Sequence, residues 1–192
     1  MGLNYSLRIT FTNEEDAEFC SEEFYNQKIV LPDGSLVELF PNVYEHADNR
    51  KMTDKLYILS VSINGLGNVG IDLNLFKTSN FYTVRDFFYQ YLKDIKMDFK
   101  FAHFELEAAD YLMCAEDMTD DIAFLMKNSS VVDENAQKVT GIGTSEFLSK
   151  RYIDGFIISL KNYNKLKDGR SEFLIFKPDY FWLPLKEFKF SK

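Results

Sequence analysis

Residues 56–76 carry the sequence LYILSVSINGLGNVGIDLNLF, in which Gly65, Gly67 and Gly70 spell G-x-G-x-x-G directly after an apolar run. In a dinucleotide-binding fold, the last glycine of this fingerprint opens a helix whose N–H groups hold the pyrophosphate. Here the residues around Gly70 alternate instead, and every second one is apolar: Val69, Ile71, Leu73 and Leu75. A period of two predicts a strand. The glycines are therefore expected to shape a turn and not to bind a cofactor.

The run before the glycines alternates in the same way, because its apolar residues are Tyr57, Leu59, Val61 and Ile63. An antiparallel pairing can place both apolar sets on one face. In that pairing Ile63 lies opposite Val69, Val61 opposite Ile71 and Leu59 opposite Leu73. The stretch therefore predicts a β-hairpin over residues 56–76.

Two further hairpins are predicted, one before this stretch in the sequence and one after it. Residues 29–40 enclose Pro32-Asp33-Gly34, a sequence typical of a tight turn. Residues 152–177 contain two apolar runs around a turn-rich segment. A first strand is expected at residues 5–12, where Leu7, Ile9 and Phe11 alternate with polar residues.

Three helices are predicted, at residues 14–25, 83–97 and 107–128. Asn13 is expected to cap the first helix, with Ala17, Cys20 and Phe24 on its buried face. Thr83 is expected to cap the second, which has a continuous apolar stripe.

Three stretches have weaker signals. Residues 41–55 are expected to form a connecting loop, residues 99–106 fit a strand or a helix, and the aromatic segment from Pro178 contains too much proline for a regular helix. Together the pattern predicts a single α+β domain over residues 1–192, with an antiparallel sheet of hairpins packed against amphipathic helices.

The net charge of −8 is unevenly distributed along the chain. Residues 1–149 contain 12 Lys and Arg against 25 Asp and Glu, whereas residues 150–192 contain 10 against 5. An acidic body repels phosphate backbones, so a basic protein is the expected partner rather than nucleic acid. No apolar run is long enough to span a bilayer, and two distant cysteines suggest no disulfide framework. A cytoplasmic protein, monomeric or weakly dimeric, is expected.

The residues that could support catalysis are sparse. His46 and His103, with Cys20 and Cys114, lack the close spacing of structural zinc sites. The sequence therefore favours a non-enzymatic protein with no metal, cofactor or catalytic set. The alternative is a small metal-dependent hydrolase that uses His103 and nearby carboxylates.

Two acidic runs without any Lys or Arg are the main candidate binding features. One spans residues 13–27 and the other spans residues 101–126. Solvated helix faces explain such runs equally well. If the second run is a functional surface, it predicts the following partner-binding residues: Glu105, Glu107, Asp110, Tyr111, Glu116, Asp117, Asp120 and Asp121. Tyr111 or Tyr89 is expected to act as the aromatic anchor.

These features favour an acidic binding or inhibitory module that neutralises a basic partner, such as a toxin or a nuclease, by covering its surface. In composition the chain is similar to bacterial toxin-immunity proteins and phage-encoded inhibitors, although no motif carries that likeness. A third class is an assembly subunit that associates through an exposed strand edge or the aromatic patch of Tyr180–Trp182.

Overall fold

The structure, a computed structural model, describes residues 3–46, 55–63, 78–108, 153–166 and 170–183. The elements in chain order are β1 (Leu3–Phe11), α1 (Glu14–Tyr25), β2 (Lys28–Val30), β3 (Leu36–His46), β4 (Leu56–Ile63), α2 (Thr78–Asp94), β5 (Phe101–Ala108), β6 (Ile153–Ser159), the one-turn α3 (Leu160–Tyr163), a 3₁₀ turn (Arg170–Glu172), β7 (Leu174–Lys177) and β8 (Tyr180–Leu183).

The strands form one antiparallel sheet in the order β2-β3-β4-β1-β5-β6-β8-β7. The first strand of the chain lies near the middle of this sheet, between β4 and β5. This arrangement confirms the predicted α+β class, with one antiparallel sheet packed against helices.

The two faces of the sheet bury different cores. Leu7, Ile9 and Phe11 of β1 point to the face that α1 and α2 cover, and they join the larger hydrophobic core. On the opposite face, Phe101 and Phe156 pack in a smaller cluster with the residues around α3. Because side chains alternate along a strand, each central strand contributes to both faces.

The predictions for the first 40 residues are confirmed. Helix α1 begins at Glu14 and ends at Tyr25, and the side chain of Asn13 accepts a hydrogen bond from the backbone N–H of Asp16 at 2.8 Å. β2 pairs with β3 as the predicted hairpin. Gly34 has a φ of +82°, a conformation that glycine adopts without strain.

The predicted hairpin over residues 56–76 is wrong in its pairing. β4 covers its first half, but both edges of β4 are already occupied, by β1 and by β3. Leu59, for example, lies between Ile9 and Val43 and so cannot pair with Leu73. The second half of the predicted hairpin lies outside the described residues.

The predicted C-terminal hairpin over residues 152–177 is also wrong, because β8 lies between β6 and β7. β7 and β8 form the actual hairpin, joined through Pro178 and Asp179, which has a φ of +63°. The prediction that the segment from Pro178 forms no regular helix agrees with β8, which is a strand. In the structure Pro178 begins the tight turn between the two strands, a position that suits its fixed φ.

Two predicted boundaries also change. Helix α2 begins at Thr78, so Thr83 lies inside it, because Asn80 is buried one turn before Val84 and lengthens the packed stripe. β3 continues through Pro41 into the predicted loop, with β2 paired only to its first three residues. Proline is tolerated on such an edge.

Residues 99–106, which fitted a strand or a helix, mostly belong to β5, which runs from Phe101 to Ala108. The predicted helix over 107–128 therefore cannot begin at residue 107. The remainder of that prediction lies outside the described residues.

Candidate functional site

Helix α1 has two stripes with the same spacing and opposite character. Ala17, Cys20, Ser21 and Phe24 lie at positions i, i+3, i+4 and i+7 and are buried. Glu15, Glu18, Phe19 and Glu22 have the same spacing and are exposed. The two stripes are offset by two residues, which is about 200° around the helix. The four exposed residues, called the acidic face below, therefore point away from the sheet.

Large aromatic side chains lie within and beside this acidic face. Phe19 is 49% exposed between the glutamates, and Tyr25 is 74% exposed at the helix end, three residues after Glu22. Exposed aromatic rings with charged neighbours are common at protein interfaces, where the ring anchors and the charges select the partner.

The six acids of α1 differ in their surroundings. The carboxylate of Asp16 accepts a hydrogen bond from the Asn13 amide at 2.6 Å, and the carboxylate of Glu23 accepts one from the Tyr91 hydroxyl at 2.8 Å. Glu14 and Glu15 line an open cleft of about 780 Å³ together with Lys55 and Lys100. The amine of Lys55 is bound to Glu45 at 3.0 Å.

Glu15, Glu18 and Glu22 differ from Asp16 and Glu23 in their hydrogen bonding. Within the described part of the chain, their carboxylates form no hydrogen bond and no ion pair. Three carboxylates on one helical face therefore remain available to a cationic partner. No Lys or Arg occurs between Asn13 and Gln27 in the chain. Of the three carboxylates, only that of Glu15 borders the cleft that Lys55 and Lys100 also line.

The helix that carries the acidic face is firmly seated. The ring of Phe24 packs 4.1 Å from that of Tyr91 and 6.1 Å from that of Phe88, centroid to centroid. The hydrogen bond between Glu23 and Tyr91 adds a polar link between α1 and α2. The acidic face is thus presented on a rigid element, which lowers the entropy cost of binding.

The burial of Cys20 and Tyr91 between α1 and α2 predicts a loss of stability at alkaline pH. Burial raises the pKa of the Cys20 thiol from 9.0 to about 11, and burial also raises the pKa of the Tyr91 hydroxyl above its usual 10.0. The folded state holds protons that the unfolded chain releases at lower pH, so the stabilisation is complete below pH 9.0 and declines as the pH rises toward 11. Urea unfolding across this range is expected to show that decline.

Tyr91→Phe removes one of these groups and should flatten the decline above pH 10.0. Tyr25→Phe, at an exposed position of α1, is the matched control and should leave the decline unchanged. An unfolding free energy that stays constant across this range in the unmodified protein would contradict the assignment.

The predicted partner-binding residues of the second acidic run are only partly described. Glu105 and Glu107 lie on β5, opposite Ser6 and Asn4 of β1. The other six lie outside the described residues: Asp110, Tyr111, Glu116, Asp117, Asp120 and Asp121. The nomination of these eight residues stays a prediction.

The remaining aromatic candidates are packed. The ring of Tyr89 lies 5.1 Å from those of both Phe176 and Trp182, and burial raises its pKa. Tyr180 is buried, and its hydroxyl accepts a hydrogen bond from the backbone N–H of Phe99 at 3.0 Å. Tyr89 and Tyr180 therefore stabilise the fold at these positions.

His103, the centre of the alternative hydrolase hypothesis, lies in the middle of the sheet with no exposed surface. Its partner across the β1–β5 pair is Arg8, whose guanidinium donates a hydrogen bond to the Tyr44 hydroxyl at 2.6 Å. The neighbour of His103 on β1 is thus a cation rather than a carboxylate. The described residues contain no group of three or more His, Cys, Asp or Glu side chains that could hold a metal ion.

Sequence reasoning identified the acids of α1 but missed its aromatic residues. The signal was present, because a buried stripe of Ala17, Cys20 and Phe24 leaves Phe19 on the opposite side. Exposure of a phenylalanine runs against the usual burial of that residue type.

Comparisons with protein families, with curated proteins and with solved structures give no match for this chain. No helix in the described ranges is both long enough and apolar enough to cross a membrane.

Proposed function

We propose that the protein is an acidic binding module that inhibits a basic partner protein by covering part of its surface. The observation that carries this proposal is the acidic face, where Glu15, Glu18 and Glu22 surround the exposed ring of Phe19. The proposal includes an inhibitory role of the immunity or phage-inhibitor kind, a bacterial setting and a cytoplasmic location.

The charges supply recognition. Complementary charges steer two proteins into contact and raise association rate constants from about 10⁵–10⁶ M⁻¹s⁻¹ toward about 10⁸–10⁹ M⁻¹s⁻¹ at low salt. A row of Lys and Arg on the partner meets the three carboxylates along the helix. The second acidic run, residues 101–126, belongs to the same proposal as an additional contact.

The aromatic residues supply affinity. A buried aromatic anchor at an interface commonly contributes more than about 1 kcal/mol, and the charged rim around it excludes other partners. Phe19 has this position within the acidic face, and Tyr25 extends the contact beyond the end of α1. The partner surface is therefore expected to combine cations with an apolar pocket.

Affinity capture with three baits tests the proposal. The unmodified chain is compared with a reversed chain that carries Glu15→Lys, Glu18→Lys and Glu22→Lys. The control chain carries Asp86→Lys, Asp94→Lys and Glu172→Lys, three exposed acids away from α1. Thermal unfolding checks that each bait is folded at the capture temperature, which is expected because every substituted side chain is exposed.

A lysate of the organism that encodes the chain is expected to yield a basic protein on the unmodified and control baits and not on the reversed bait. The activity of the purified partner, such as nuclease activity, should fall when the unmodified chain is added. Recovery of no partner, or equal recovery on all three baits, would overturn the proposal.

A further inference from the structure

Among the described residues β7 is the last strand of the sheet, and it carries exposed apolar side chains on both faces. In the described part of the chain, β7 pairs only with β8 and ends the strand order. Leu174, opposite Trp182, is 52% exposed, and Ile175, opposite Phe181, is 79% exposed. These two residues, with the backbone N–H and C=O groups on the side of β7 away from β8, are called the β7 edge below.

This edge lacks the protection that sheet edges usually have. Natural proteins often place an outward lysine on an edge strand to prevent pairing with another chain. Lys177 is the only charged residue of β7, but its amine donates a hydrogen bond to the Ile95 carbonyl at 2.8 Å and lies over the rings of Phe99 and Tyr180. Lys177 therefore stabilises the end of α2 and does not guard the edge.

The opposite edge of the sheet is different. β2 has only three residues and is followed closely by Pro32, and its Lys28 forms an ion pair with Glu38 of β3 at 3.0 Å. Both edge strands are short and are followed by a proline, but β2 also carries an exposed ion pair, and exposed charge resists the addition of another strand. The β7 edge is therefore the more receptive of the two.

The surroundings of the β7 edge are basic. In the described ranges 160–166 and 170–177, four Lys and Arg stand against one Glu, a net charge of +3. Arg170 lies 5.9 Å from the ring of Tyr163, which stacks on Phe181 at 4.0 Å on the face that Ile175 shares. Lys161 and Lys165, on either side of Tyr163 in the chain, are exposed.

We propose that the β7 edge binds an extended acidic segment of a partner protein as a ninth strand. Main-chain hydrogen bonds to β7 would supply affinity, while Leu174 and Ile175 contact alternate side chains of the added strand. Acidic side chains in that strand complement Arg170, Lys161 and Lys165. Pairing with β7 of a second copy is disfavoured, because it brings two basic segments together.

The test uses two labelled peptides of about six residues, the usual length of a strand. One peptide alternates valine with glutamate and the other alternates valine with lysine. Fluorescence anisotropy is measured on the reversed chain (Glu15→Lys, Glu18→Lys and Glu22→Lys), in which a basic peptide has no acidic face to bind. The glutamate peptide is expected to bind at least about tenfold more tightly than the lysine peptide. Equal binding of the two peptides, or binding of neither, would overturn the proposal.

Variants locate the site. Ile175→Asp places a negative charge on the edge and should lower the affinity for the glutamate peptide at least about tenfold. Ile175→Thr should lower this affinity less, because it adds no charge. Val30→Asp, at an exposed position on the opposite edge, should leave the affinity unchanged. Retained binding by Ile175→Asp would contradict the assignment.

Sedimentation measures whether a second copy of the chain, instead of an acidic segment of a partner, occupies the β7 edge. A dimer of the unmodified chain that becomes monomeric in Ile175→Asp would show that a second copy occupies the edge, which overturns the proposal for an acidic segment. A monomer in both cases is the expected result. These outcomes do not depend on α1, so they leave the proposed function to its own test.

Discussion

Replacing Phe88 by alanine is expected to lower the free energy of unfolding by about 3–5 kcal/mol. Phe88 is fully buried on α2, and its ring lies 6.1 Å from that of Phe24 on α1 and 6.4 Å from that of Phe104 on β5. One side chain thus joins both helices to the centre of the sheet. The alanine variant loses the transfer free energy of the ring and leaves a cavity among three elements.

This loss is a large part of the total, because folded domains are stable by only about 5–15 kcal/mol. For a chain of this length it corresponds to a fall in Tm of about 6–20 °C. Urea unfolding followed by circular dichroism measures the effect. Phe19→Ala removes the same ring from an exposed position and should cost about 1 kcal/mol or less. Similar losses for the two variants would contradict the assignment of Phe88 to the core.

The second large effect is expected for binding. Reversal of Glu15, Glu18 and Glu22 replaces three attractions by three repulsions against a cationic partner. Each close charge pair at an interface contributes on the order of 1 kcal/mol or more, so the reversed chain should bind at least about a hundredfold more weakly. Most of the loss is expected in the association rate, because these carboxylates are exposed and act at a distance.

The aromatic residue of the acidic face should behave differently. Phe19→Ala keeps all three charges and removes the anchor, so it is expected to raise the dissociation rate and to leave the salt dependence nearly unchanged. Surface plasmon resonance with the captured partner separates the two rates. A Phe19→Ala chain that binds as tightly as the unmodified chain would show that the acids act without an aromatic anchor.

Elements determined by local sequence could be predicted well. Helix α1 has a cap at Asn13, acids in its first turn and a clear stripe, and its predicted bounds agree with the structure. The β2–β3 hairpin follows from Pro32-Asp33-Gly34 for the same reason. In both cases the residues that specify the element are neighbours in the chain.

Strand pairing could not be predicted in the same way. Alternation in β4 identified a strand, but nothing local shows that β1 and β3 occupy its two edges. The pairing of β6 with β8 rather than β7 likewise depends on contacts distant in sequence. A period of two tells which side chains share a face, and it leaves the order of strands open.

The candidate site illustrates the same limit. The acids of α1 were visible in the sequence as a run without Lys or Arg, but which of them remain available depends on tertiary contacts. Tyr91 engages Glu23, although the two residues are distant in the chain. The identity of Glu15, Glu18 and Glu22 as the available carboxylates therefore required the structure.

The salt dependence of binding tests the central claim most directly. The affinity of the captured partner for the unmodified, reversed and control chains is measured at about 0.05 M and about 0.3 M salt, which shortens the screening length by a factor of about two. The unmodified and control chains are expected to lose affinity steeply as salt rises, and the reversed chain is expected to bind weakly at both concentrations. Equal affinity and equal salt dependence for all three chains would contradict the claim that the acidic face of α1 binds a basic partner.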